Sequence, residues 1–137
     1  MITGSQYVKI VGLFYSFLES EFDFNKMDEA ISGNVFYDVE YRSIEKIVSI
    51  SYENLEAHLE IIVFKLSNGK MPDYDNKSQT LHLSHLNRLV MSIVSKDEVS
   101  LNARCFSKYN AKDKLERKLL QRAKELRLCL KHFDQLQ

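Results

Sequence analysis

The chain has 137 residues, 45% apolar and 28% charged, the ordinary balance of a globular domain. Its 19 Lys/Arg and 19 Asp/Glu cancel overall, yet residues 1–75 hold six cations against thirteen carboxylates and residues 76–137 hold thirteen against six. No apolar run approaches the roughly 18–20 residues that span a bilayer, and two cysteines, Cys105 and Cys129, are too few for a disulfide framework or a Cys-based zinc site.

The first element reads as an amphipathic helix. Tyr7, Ile10, Val11, Phe14, Phe17 and Leu18 recur three or four apart, with Thr3 or Ser5 as its cap. The stretch Glu21 to Asn25 releases the helix, and residues 25–33 read as a further short turn. The period then changes to two. In residues 35–42 (VFYDVEYR) apolar positions alternate with Asp38, Glu40 and Arg42, as in a half-buried strand. Residues 48–52 (VSISY) repeat the alternation, while residues 59–66 (LEIIVFKL) are more continuously apolar and so belong nearer the middle of a sheet. Asn68-Gly69 is a turn signal, and residues 71–78, which include the one proline, read as an exposed loop.

Residues 80–83 suggest a short strand, followed by a helix capped by Ser84 and lined by Leu86, Leu89, Val90 and Ile93. Residues 95–105 fit two readings. Ser95 and Glu98 make a capping box, but Val99, Leu101, Ala103 and Cys105 also alternate at period two. The last element is a long amphipathic helix, with Leu115, Leu119, Ala123, Leu126, Leu130 and Phe133 on one side. Short links between the early strands imply an α+β fold: a three- to four-stranded antiparallel meander, with an N-terminal helix and a long C-terminal helix packed on one face. A single domain over residues 1–137 is expected. The N-terminus shows no basic region followed by an apolar core, so a cytoplasmic location is expected as well.

No Gly-rich phosphate cradle, nucleophile elbow, HExxH or CxxC motif occurs, so neither an enzyme nor a cofactor is expected. His82 and His85 lie three apart without a third ligand at helical spacing, and read as solvated histidines. Asp38 and Glu40 share one strand face and, with Glu53 and Glu60 of neighbouring strands and Tyr52, form a candidate partner-binding surface. The final helix carries Lys108, Lys112, Lys114, Arg117, Lys118, Arg122, Lys124, Arg127 and Lys131, a stripe able to follow a phosphate backbone.

The segments 14–22 (FYSFLESEF), 38–43 (DVEYRS), 48–53 (VSISYE), 61–69 (IIVFKLSNG) and 81–89 (LHLSHLNRL), closed by the long helix, form a layout. It resembles small single-domain α+β bacterial proteins encoded beside polymorphic or contact-dependent toxins and read as their immunity proteins. The resemblance implies a protein that binds and neutralises a cognate toxin, as monomer or homodimer. The rival expectation is a nucleic-acid-associated regulator working through the basic C-terminal helix.

Overall fold

Thr3 starts the first helix. Its hydroxyl accepts from the Gln6 backbone N–H while the Gln6 side chain accepts from the Thr3 N–H, a reciprocal cap that sets the start of α1 (Gly4–Phe14). A kink at Tyr15 and Ser16 separates α1 from α2 (Phe17–Phe22). Asp23, at φ 60°, ends α2 in the left-handed region that short polar side chains tolerate. The computed structural model describes residues 1–136.

Five strands follow: β1 (Asn25–Ser32), β2 (Phe36–Arg42), β3 (Lys46–Glu53), β4 (His58–Lys65) and β5 (Thr80–His82). They form one antiparallel meander in the order β1-β2-β3-β4-β5. The strand count corrects the sequence expectation. Residues 25–32 form a strand rather than a turn, because β1 lies at the sheet edge with every residue exposed and so carries no apolar alternation. β1 runs against β2 with a register shift between Lys26 and Asp28, and Gly33, at φ 57°, helps turn the chain between them.

Among the described residues three further α-helices follow, α3 (Leu83–Met91), α4 (Lys96–Arg104) and α5 (Lys114–Lys131), and then a short 3-10 turn, Phe133–Gln135. The ambiguous segment after Ser95 is helical, and Ser95 caps it by accepting from the Glu98 N–H. α3 starts two residues earlier than expected: His82 occupies the cap position without a side-chain capping bond, and Ser84 lies inside the helix.

The helices share the inner sheet face. Tyr37, Val39 and Tyr41 of β2, Val48, Ile50 and Tyr52 of β3, and Ile61 and Val63 of β4 join Tyr7, Val11 and Phe14 of α1 and Leu119, Ala123 and Leu126 of α5 in one buried core. Three buried tyrosines satisfy their hydroxyls on main-chain carbonyls: Tyr7 on Ile50 at 2.9 Å, Tyr15 on Leu119 at 2.8 Å and Tyr37 on Ile2 at 2.8 Å.

The outer face divides in two. At one end Ile47, Ile62 and Phe64 form a second buried cluster with Leu66. The segment after β4 closes on this end: Arg42 donates to the Gly69 carbonyl, the Thr80 hydroxyl donates to the Asp73 carbonyl at 3.2 Å, and Tyr74 meets His82 edge-on. Apolar residues therefore occupy both faces of β4, which explains its unbroken apolar run. The other end of the face carries the carboxylates.

Candidate functional site

Strand register sets the acidic surface. Asp28 of β1 stands opposite Glu40 of β2, and Glu40 stands opposite Ser49 of β3. One step along, Asp38 faces Ser51, and Ser51 faces Glu60 of β4. The next row runs Phe36, Glu53, His58. Alternation puts all of these side chains on the face away from the helices.

Each predicted residue has its own environment. Asp38 accepts a hydrogen bond from the Ser49 hydroxyl at 2.7 Å. Burial, reinforced by the charge of Asp38, a hydrogen bond shared with it and the charge of Asp28, raises the Glu40 carboxyl above the usual glutamate range. Glu53 is committed to the fold: its two oxygens accept from the Leu55 and Glu56 backbone N–H groups at 2.9 and 2.8 Å and clamp the β3–β4 turn. Glu60 sits between two imidazoles, with His82 Nδ1 at 2.9 Å and His58 Nε2 at 3.4 Å.

Tyr52 does not belong to this surface. It lies on the inner face, 7% exposed, stacked on Tyr7 with ring centroids 5.8 Å apart. The reason is the period of two: Ser51 and Glu53 face outward, so the residue between them faces the core. An exposed aromatic, Phe36, lies on the outer face two residues before Asp38.

Among the described residues, no Lys or Arg forms an ion pair with Asp28, Asp38, Glu40, Glu53 or Glu60. Arg42, the cation two positions from Glu40, is directed instead to the Gly69 carbonyl. The surface keeps its negative charge.

The basic half lies on the helical side. Arg127 of α5 grips Glu21 of α2 through three contacts of 2.7–3.2 Å and also donates to Asn102 of α4 at 2.8 Å. That bond holds the Glu21 carboxyl below its usual range. Arg122 pairs with Glu125 at 2.7 Å, and Lys131 and His132 approach Glu98. Glu21–Arg127 is the one Lys/Arg–carboxylate pair among the described residues that joins the acidic and basic halves. Lys112, Lys114, Arg117 and Lys118, around the start of α5, take part in no ion pair among those residues.

The convergence of His58 and His82 on Glu60 brings together three residues from two strands, which linear spacing does not show. Among the described residues, no group of three His, Cys, Asp or Glu side chains is placed to hold a metal ion. No described helix is long and apolar enough to cross a membrane. No family model, curated protein or solved structure matches the chain.

Proposed function

We propose that this protein is a binding module that captures a basic protein partner on the outer sheet face, and that the partner is a cognate toxin which it neutralises by occupancy. The observation that carries this reading is the trio Asp28, Asp38 and Glu40: adjacent, held by strand register, and in no ion pair with a Lys or Arg among the described residues. Forcing like charges together costs stability. A cationic partner relieves that cost on docking, and the field of the cluster speeds encounter. Phe36 beside the cluster supplies an apolar anchor.

The test is association kinetics with the toxin proposed as partner, and with a basic protein of unrelated fold as control. Replacing Asp38 and Glu40 together by lysine should slow association by about tenfold or more at low salt and flatten its salt dependence. Unchanged association rates discard this surface.

The nucleic-acid reading has its own support in the unpaired cations Lys112, Lys114, Arg117 and Lys118. A salt titration of duplex and single-stranded binding discriminates: useful affinity with a steep dependence on salt favours it.

A further inference from the structure

A second surface lies on the far side of the molecule from the acidic face. A groove of about 870 Å³ runs between α1 and the chain that leads into α5, residues 108–116. It touches Ile2 at one end of α1 and Leu13 and Phe14 at the other, so it follows the helix for about 16 Å. A smaller hollow of about 420 Å³, walled by Tyr52, Leu115 and Lys118, continues it past Ile2.

Two observations mark this groove as built for an occupant. The first is Gly12. It sits inside α1 and lines the groove, and a Cβ placed there would meet nothing within 4 Å. Glycine in a helix interior is destabilising relative to alanine. No neighbour in the fold requires it here, and its effect is to leave the groove open where a side chain would stand.

The second is charge. The groove is rimmed by Lys9 from α1 and by Lys108 and Lys112 from the opposite wall. None of the three forms an ion pair among the described residues. The two carboxylates present are already occupied: Asp113 caps α5 by accepting from the Glu116 N–H at 2.9 Å, and Glu116 accepts from the Lys112 N–H at 3.1 Å. Lys9, Lys108 and Lys112 outnumber Asp113 and Glu116 along the lining, so the rim is net cationic, over a floor of Ile10, Leu13 and Tyr109.

We infer that this groove receives an acidic amphipathic helix of a partner protein. An apolar stripe would lie on Ile10, Leu13 and Tyr109, and flanking carboxylates would meet Lys9 on one side and Lys108 and Lys112 on the other. The cations stand along both walls rather than around one point, which suits charges spread along a helix better than a single anionic head group. Phosphate backbones gain nothing from an apolar floor. The site is separate from the acidic face and does not depend on it.

The probe is a fluorescein-labelled peptide of about 18 residues with leucines at i, i+3, i+4 and i+7 and glutamates flanking them, read by anisotropy. Its twin carries lysine in place of glutamate, and a labelled DNA duplex is the third ligand. The glutamate peptide should bind at least about tenfold tighter than its twin, and Gly12→Leu should weaken it at least about tenfold with the melting temperature held or raised. Joint Lys108→Glu and Lys112→Glu should weaken it comparably, and decides the matter if Gly12→Leu fails to fold. Joint replacement of Asp38 and Glu40 by lysine should leave peptide binding unchanged, which separates this site from the outer face. Equal binding of the two peptides, no binding at about 100 µM, indifference to the groove variants, or preference for the duplex each overturns the inference.

Discussion

Gly4 opens α1 directly against Ile31 of the edge strand. A Cβ on Gly4 would lie 2.6 Å from Ile31 Cγ2, 2.9 Å from its Cδ1 and 3.1 Å from its Cγ1. Both branches of Ile31 crowd the site, so a rotation that withdraws one brings another closer, and χ1 of a β-branched side chain is stiff. The edge strand can yield a little, and alanine gains little propensity at the first helical position. Overpacking of this kind costs about 1–3 kcal/mol, so Gly4→Ala should lose about 1–2 kcal/mol. With an unfolding entropy of about 2.1 cal/mol/K per residue, that loss lowers Tm by roughly 3–7 °C. Urea and thermal unfolding of four proteins would measure it: the natural chain, Gly4→Ala, Ile31→Ala and the double variant. Ile31 is half exposed, so Ile31→Ala alone costs little, and in that background the Gly4→Ala cost should vanish. A Gly4→Ala protein as stable as the natural one, or an equal cost in both backgrounds, refutes the account of how α1 anchors the β1–β2 hairpin.

Tyr41 is fully buried, and its hydroxyl has no hydrogen-bond partner among the described residues; burial, then the charges of Glu19 and Glu29, push its pKa up to about 12. Tyr41→Phe should therefore match or exceed the natural stability by up to about 1 kcal/mol, whereas Tyr15→Phe, which strands the Leu119 carbonyl, should lose about 1–2 kcal/mol. A larger urea-midpoint loss for Tyr41→Phe than for Tyr15→Phe counts against this reasoning. Glu40 titrates above its usual range in the folded protein, so the folded state binds its proton more tightly than the unfolded one, and stability falls as pH rises through the folded value. Glu40→Gln should be more stable than the natural chain at pH 7, and the gap should close as pH drops below the ordinary glutamate pKa of about 4.3. A gap that widens on acidification reverses the sign and removes the case for a crowded acidic face.

The strands with one buried face were legible from residue order: β2 and β3 alternate because helices cover one side and water wets the other. β1 was not, because an edge strand wet on both sides has no period to read. The segment after Ser95 stayed ambiguous because the contacts that fix it as a helix are polar: Asn102, buried in α4, donates to the Lys124 carbonyl and accepts from Arg127. Of the candidate surface, Asp38, Glu40 and Glu60 were placed on a common face by alternation alone, and Asp28 was missed with its strand. Tyr52 was assigned against its own parity. The engagement of Glu53 with a turn, and the joining of Glu21 to Arg127 across 106 residues, depend on tertiary closure that no local window contains.

The sheet turns its carboxylates to one side of the molecule and α5 turns its free lysines to the other. Two copies therefore attract when stacked front to back, and repel when either side meets its own kind. A front-to-back contact has no two-fold axis, so each added copy presents the same pair of unlike surfaces to the next, and the rotation between copies decides whether growth closes into a ring or continues. Ionic strength restrains such stacking: with a screening length of about 8 Å at physiological salt, attraction between poorly fitting surfaces decays before they touch.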